Sequence, residues 1–220
     1  MSVSLVKVFD APPVDQGEIL RYLGQKERDD KVDALVKECL DEVEKSLTYK
    51  ACYIYENCKI SSDEVEICGE KIASKSLAKN LSGVNEVVLL ACSVGFTIDR
   101  LIEKYKVLNP TKSLVMHAVG VERVESLANA FCSFLGAEVK KENKRLRPRF
   151  SPGYGDFGIE GQNLFFKNLE VNKLLGVTLT EGMLMSPSKS VTAIVGIGDE
   201  EEQGCNIGCE SCSLECEYRR

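Results

Sequence analysis

Residues 149–154 combine, in one short segment, the side chains that a small charged ligand would need. Arg149 carries a planar guanidinium, which can pair with a carboxylate through two hydrogen bonds. The turn that follows contains Gly153, which permits a positive φ or a close approach of the backbone. Phe150 and Tyr154 add aromatic rings, and the face of Tyr154 can contact a nucleobase or a cation. The segment indicates either a ligand site or an ordinary exposed turn.

Four cysteines near the C-terminus form a second group with possible chemistry. Their C-x3-C-x2-C-x3-C spacing within twelve residues can place four thiolates around a zinc ion or an iron–sulfur cluster. Disulfides and uncoordinated thiols are the alternatives. The four are Cys205, Cys209, Cys212 and Cys216. The other six cysteines are dispersed, and Cys92 and Cys132 lie in apolar segments typical of a protein core.

Three further features favour ordinary structural roles. Residues 153–158 have the G-x-G-x-x-G spacing of a dinucleotide site, but a basic segment precedes them where that fold needs an apolar strand. His117 is the only histidine and lies in an apolar helical pattern, which does not favour catalysis by a histidine base. The basic run 140–149 contains no interleaved aromatic residue. We therefore interpret it as a solvated edge or a surface for an acidic partner.

The composition is typical of a soluble globular protein. Of 220 residues, 44% are hydrophobic and 28% are charged, and the net charge of -6 argues against general nucleic-acid binding. No apolar run is long enough to span a membrane, and the N-terminal residues lack the pattern of a signal peptide. We therefore expect a cytoplasmic protein.

The hydrophobic pattern predicts helices and short strands in irregular order. The predicted helices cover residues 17–47, 74–81, 97–107, 111–136 and 161–175. The predicted strands cover residues 51–55, 64–68, 87–92 and 191–197. Ser74 is a candidate N-cap, as are Thr111 and Ser113 for the longest helix, which should end near Gly136. This order favours an α+β fold with a mixed or antiparallel sheet and several helices.

Three sequence elements, in the right order, resemble the activation domain of cobalamin-dependent methionine synthase. Residues 125–131 are similar to a helix reading acid-x-Leu-Ala-Glu-Ala-Phe in that family, and residues 149–154 are similar to its R-x-x-x-G-Y element. The third element comprises Leu179-Thr180-Glu181, Met185-x-Pro187 and Ser190-Val191. The resemblance covers about residues 120–195 and leaves residues 1–60 without a clear counterpart.

The resemblance implies that the chain binds S-adenosylmethionine and supports the reductive methylation of cobalamin. It assigns Arg149 to the ligand carboxylate, Gly153 to close approach of the backbone, and Phe150 and Tyr154 to the body of the ligand. Asn129 would receive the ligand's amino group, although the family has a glutamate there. These five residues form the expected ligand site, and no residue of the chain is expected to act as a catalytic acid or base. Glu125 would contact the partner's cobalamin-ligating histidine.

The chain departs from the large synthases in ways that imply a stand-alone module. It has no tryptophan and no counterpart of their Trp- and Phe-rich segment, and no cobalamin-binding module precedes the matched region. We expect one domain over residues 1–198 and a Cys-rich tail over residues 199–220. The implied partner is a separate methionine synthase that lacks its own activation domain, or a related corrinoid methyltransferase. A flavodoxin-like protein could supply electrons.

Two alternative functions stay open at this point. In the first, the chain is a metal-binding electron-transfer or corrinoid-activating protein that works through its C-terminal cysteines, with zinc or an iron–sulfur cluster as the cofactor. In the second, it caps a corrinoid protein without binding S-adenosylmethionine.

Overall fold

The computed structural model of the chain describes residues 3–25 and 29–199, which form helices and strands around a central antiparallel sheet. The strands are β1 Leu5–Phe9, β2 Tyr49–Ile60, β3 Glu64–Ile67, β4 Glu70–Ala73, β5 Glu86–Ser93, β6 Lys144–Leu146, β7 Thr178–Leu179, β8 Met185–Ser186 and β9 Ser190–Asp199. The helices are α1 Gln16–Tyr22, α2 Asp30–Val43, α3 Lys75–Asn80, α4 Thr97–Leu108, α5 Pro110–Lys140, α6 Gln162–Asn168 and α7 Val171–Leu175. The predicted α+β class with an antiparallel sheet is confirmed.

The main sheet has the strand order β4-β3-β2-β5-β9-β6, and β1 pairs with β2 beside this path. On one side, the long strand β2 pairs with two strands, because its first half pairs with β1 and its last residues pair with β3. On its other side it pairs with β5. At the other end, β6 pairs with the end of β9, from Lys144 opposite Asp199 to Leu146 opposite Ile197. Strands β7 and β8 form a separate two-stranded ribbon.

Both faces of the sheet are covered, so the central strand β5 is buried along almost its whole length. Helices α1, α2, α4 and α5 contribute to the hydrophobic core on one face, where Val88, Leu90 and Cys92 of β5 lie. Helices α3, α6 and α7 cover the other face, where Val87 and Leu89 lie. This alternation of neighbouring residues between faces is the two-residue period of a strand. The predicted burial of Cys92 is confirmed.

The longest helix, α5, is longer than the sequence pattern predicts. It begins at Pro110 and runs to Lys140, and Asn109 caps it by accepting a hydrogen bond from the Lys112 backbone N–H. The predicted N-caps Thr111 and Ser113 are therefore wrong, as is an end near Gly136. Proline is favoured at the first helical position because its fixed φ suits the helix and no N–H is needed there.

Two predicted helices are interrupted, and five strands were not predicted. The segment 17–47 forms α1 and α2, because the chain leaves the helical path at Gly24, which has a φ of +69°. The segment 161–175 forms α6 and α7. The sequence pattern did not predict strands β1, β4, β6, β7 and β8. The predicted strands at 51–55, 64–68, 87–92 and 191–197 and the Ser74-capped helix are confirmed within a few residues.

Among residues 3–25 and 29–199, no helix combines the length and apolar character needed to cross a bilayer. The four tail cysteines lie outside the described residues, so the division at residue 198 and the metal-binding role of the tail stay predictions.

Candidate functional site

Three of the predicted site residues meet where α5 crosses the edge of the sheet. Arg149 Nη2 donates hydrogen bonds to Glu125 Oε2 at 3.0 Å and to Asn129 Oδ1 at 2.9 Å. Residues four apart on a helix lie on one face, so Glu125 and Asn129 can contact the same guanidinium. Arg149 lies 24 and 20 positions after these two residues in the sequence and reaches α5 from the strand side.

The segment after β6 fixes the direction of Arg149. The Arg147 N–H donates to Gly196 O at 2.8 Å, and Phe150 exchanges two backbone hydrogen bonds with Ile194 of β9. Residues 147–150 thus continue along the edge of β9 although they lie outside a named strand. Successive side chains of an extended segment point to opposite faces, so Arg149 and Phe150 diverge.

The electrostatics of this cluster are unusual in one respect. Arg149 Nη2 has two acceptors, but Arg149 Nη1 is buried and has no hydrogen-bond partner among the described residues. A buried donor without a partner costs about 1–3 kcal/mol, which an added acceptor would recover. The side chains of Arg149 and Glu125 are 20% and 25% exposed, so the ion pair is shielded but can be reached from solvent. The arrangement offers a cation and an anion side by side.

Two thiols lie near this ion pair. Burial raises the pKa of both Cys92 and Cys132, and the positive charge of Arg149 acts in the opposite direction on each. Both thiols therefore stay protonated at neutral pH and contribute no charge to the cluster.

The aromatic residues of the 149–154 segment lie on the other side of the sheet edge. Phe150 packs against the core formed with α3, α6 and α7, and its ring stacks on Phe157 with centroids 6.4 Å apart. The ring of Tyr154 meets Phe150 edge-on at 6.2 Å, and Tyr154 is 56% exposed. Gly153 adopts a φ of +92°, which glycine tolerates and other residues rarely adopt.

Asp156 anchors this loop and was not predicted from the sequence. Its carboxylate accepts a hydrogen bond from Ser74 Oγ at 2.6 Å and from the backbone N–H groups of Lys75 and Ser76 at 2.8 and 3.0 Å. These hydrogen bonds, the one from Ser74 first, hold the pKa of Asp156 well below its usual range. Helix α3 has no acidic residue in its first turn, and Asp156 supplies one from about 80 residues away.

The third element of the resemblance lies at the beginning of β9 and in the short ribbon before it. Leu179 pairs with Met185 between β7 and β8. Ser190 is the first residue of β9, and its hydroxyl donates to Pro187 O at 2.9 Å and makes a hydrogen bond with the Ser93 hydroxyl at 3.0 Å. These residues lie at the end of the sheet where β5 finishes.

The described residues contain no group of three or more His, Cys, Asp and Glu side chains that could hold a metal. The six cysteines in this part of the chain are free thiols, and burial raises the pKa of Cys52 to about 12 and those of Cys39, Cys58 and Cys68 to about 11. Unlike the four tail cysteines, these six do not form a cluster in the sequence.

A cleft of about 570 Å³ lies elsewhere, between the end of α3 and the β2–β3 turn. Polar residues, among them Lys79 and Asn85, and apolar residues such as Ile60 and Val84 line it, and none of the predicted site residues does. The Arg149 cluster is the better candidate for a ligand site, because the buried Nη1 of Arg149 has no hydrogen-bond partner among the described residues.

Comparison with known proteins supports the fold rather than a sequence family. No known family of sequences matches the chain, and no curated protein is similar to it in sequence. The structure is similar to a solved structure titled the MetH Reactivation Domain bound to AdoHcy, with a TM-score of 0.69. The match covers 91% of this chain and 80% of the other, at 14% sequence identity. The chain therefore has the fold of that domain.

Proposed function

We propose that this chain binds S-adenosylmethionine beside Arg149 and supports reductive methylation of the cobalamin of a separate protein. The observation that carries the proposal is the contact of Arg149 with Glu125 and Asn129, in a fold shared with a domain solved with AdoHcy. AdoHcy is the demethylated form of S-adenosylmethionine, and the two share the amino-acid head group.

The amino-acid head of the ligand complements this cluster in charge. Its carboxylate would pair with the guanidinium of Arg149 and provide an acceptor for Nη1. Its ammonium would lie near Asn129, where the neutral amide oxygen takes the place of the family's glutamate. The amino-acid head group would thus add one positive and one negative charge to the Arg149 cluster, which already contains both, so the net charge of the cluster stays unchanged.

The remaining residues would hold the rest of the ligand. The exposed ring of Tyr154 can cover the nucleoside or contact the sulfonium through its face, and Phe150 supports that ring. Gly153 lets the backbone approach without a side chain. The partner's cobalamin would supply the reduced cobalt that accepts the methyl group, and S-adenosylhomocysteine would be released. Alignment of the methyl group with that metal lowers the barrier by proximity, and no proton transfer is needed.

Titration calorimetry with S-adenosylmethionine tests the ligand site. Arg149→Ala should weaken binding by about tenfold or more, because a charge-assisted hydrogen bond contributes about 1.5–3 kcal/mol. Lys141→Ala is a matched control that removes one positive charge from the same basic segment, and its side chain is 68% exposed. Unchanged affinity in Arg149→Ala would refute the assignment of the site.

The partner is proposed to be a cobalamin-dependent methionine synthase that lacks its own activation domain, or a related corrinoid methyltransferase, in the cytoplasm. We propose Glu125 as the residue that contacts the partner's cobalamin-ligating histidine and a flavodoxin-like protein as a possible electron donor. Reactivation of such a methyltransferase after oxidation should require this chain, S-adenosylmethionine and a reductant together. Equal reactivation without this chain would contradict the proposal.

A second candidate function rests on the cysteine tail. Four cysteines within twelve residues are a suitable ligand set for an iron–sulfur cluster or zinc, and such a centre could deliver electrons or hold the tail. Replacement of both Cys209 and Cys212 by serine should then remove the metal and leave S-adenosylmethionine binding intact. Elemental analysis and the visible spectrum of anaerobically purified protein measure this directly. The double variant Cys68→Ser/Cys132→Ser is the control.

A further inference from the structure

A second buried cation lies away from Arg149, at the end of the sheet where β5 finishes and β9 begins. Lys189 is only 4% exposed, and its aliphatic chain passes α5 at Gly120. A Cβ atom at Gly120 would come within 2.8 Å of Lys189 Cε and of Ile98 Cδ1. The space left by this glycine therefore lets the lysine side chain run between α4 and α5.

The ammonium group of Lys189 is poorly compensated among the described residues. Its Nζ donates to Ser188 Oγ at 3.1 Å, and among the described residues Lys189 forms no ion pair with a carboxylate. The nearby carboxylate of Asp99 is engaged by Ser188, whose backbone N–H and hydroxyl both donate to it, the latter at 2.6 Å. An ammonium has three donors, so two positions stay open for an acceptor.

The single histidine belongs to the same group. His117 lies at the surface of α5, less than one turn before Gly120. Burial lowers the pKa of His117, and the positive charges of Lys189 and Lys106 lower it further, whereas Asp99 raises it. Burial likewise lowers the pKa of Lys189, and Asp99 opposes this effect. Among the described residues, the charges of Lys189, Lys106 and Asp99 thus act on His117, and the charge of Asp99 acts on Lys189.

We propose that Lys189 and His117 form a binding site for an anionic group, a phosphate or a carboxylate, that is distinct from the Arg149 site. A buried ammonium without an ionic partner is unfavourable, and an anion that accepts its two open donors would compensate its charge. His117 can donate a third hydrogen bond from the surface once it is protonated. The ligand could be a free anion or an acidic group of a partner protein, since both present the same acceptor atoms.

The single histidine makes the test specific. In ¹H NMR, one imidazole Hε1 signal reports on His117, and we expect it to shift saturably with inorganic phosphate at constant ionic strength. Lys189→Met keeps most of the buried chain and removes the charge, so it should weaken phosphate binding by about tenfold or more. It should also move the His117 titration to higher pH, because a neighbouring cation disfavours protonation.

Two variants serve as controls. Lys106→Met removes another lysine that acts on His117 but is exposed, and it should retain phosphate binding. Arg149→Ala should also retain it, so failure of the S-adenosylmethionine proposal and failure of this one can be told apart. Asp99→Asn should tighten phosphate binding, because it removes the facing negative charge. A linear, non-saturating shift in the wild type, or an unchanged His117 titration in Lys189→Met, would overturn the proposal.

A carboxylate source is tested by the same signal. If acetate shifts the His117 signal at a concentration similar to that of phosphate, the site binds carboxylates as readily as phosphates. If phosphate alone shifts the signal, the site selects a doubly charged anion.

Discussion

Removal of Arg123 should be among the most damaging single changes in the protein. Its side chain is fully buried, and the guanidinium makes four close hydrogen bonds within the structure. Two go to the Glu122 carboxylate at 2.7 and 2.8 Å, and the others go to the backbone oxygens of Pro12 and Pro13 at 2.7 and 2.9 Å. Arg123 of α5 therefore binds the segment that precedes α1 through the carbonyls of Pro12 and Pro13.

The expected cost follows from the groups that would be left behind. Arg123→Met leaves the Glu122 carboxylate, which is 1% exposed as a residue, without its cation, and leaves the buried carbonyl of Pro12 without a donor. Breaking a buried ion pair from one side costs about 3–5 kcal/mol, most of it from the uncompensated charge. Glu122 would keep two weaker partners, the Asp15 N–H and the Ser126 hydroxyl.

Urea unfolding followed by circular dichroism measures this cost from the midpoint and the slope. The double variant Glu122→Leu/Arg123→Met removes both charges and should recover much of the lost stability, because a buried pair can be replaced by apolar residues at little net cost. A loss below about 1 kcal/mol in Arg123→Met, or a double variant as unstable as the single one, would refute this reasoning.

Three further predictions concern the loop that follows Arg149. Ser74→Ala should destabilise the protein by about 1–2 kcal/mol in urea unfolding, because Ser74 Oγ caps α3 by accepting from the Leu77 N–H and also donates to Asp156. The lowered pKa of Asp156 means that its carboxylate stabilises the fold above its ordinary pKa of 3.8, and that this contribution is lost as the pH falls towards its depressed value. The stability of Asp156→Asn should therefore decline less than that of the wild type between pH 5 and pH 2, about the range over which an aspartate protonates; parallel curves would contradict the assignment. Gly155→Ala should cost about 1–3 kcal/mol, since Gly155 has a φ of +55° and a Cβ there would lie 2.7 Å from Ser76 Oγ. Gly182→Ala, whose Cβ would approach no atom closer than 3.9 Å, is its control.

The fold class and most elements could be predicted from local pattern, and the errors have local causes. A helical period continues across residues 17–47, so the pattern alone does not locate the break at Gly24. Strand β1 has only five residues, of which four are apolar without alternation, and it gains its stability from pairing with residues of β2 that lie 40 to 48 positions away in sequence. Short strands of this kind depend on partners that periodicity does not reveal.

The candidate site was predictable in part. The four-residue spacing places Glu125 and Asn129 on one face of α5, and the R-x-x-x-G-Y resemblance points to Arg149. Their contact joins residues 20 to 24 positions apart in sequence. Two long-range contacts around the site were not predictable. Asp156 accepts a hydrogen bond from the first turn of α3, about 80 positions earlier in the sequence, and Arg123 donates to Pro12 O, 111 positions earlier. Such contacts depend on the complete fold and leave no periodic signal.

The geometry of the sheet edge limits how one ligand could use both Arg149 and Tyr154. Arg149 contacts α5 on one face of the sheet, whereas Phe150, and with it the ring of Tyr154, belongs to the face covered by α3 and α6. A ligand that contacts both must therefore lie along the edge beside residues 147–150, with its charged head towards α5 and its body towards Tyr154. Arg149 is then expected to determine recognition of the amino-acid head, and Tyr154 recognition of the nucleoside. If so, adenosine alone should lose affinity in Tyr154→Ala but keep it in Arg149→Ala, and the opposite pattern would show that the ligand lies on one face only.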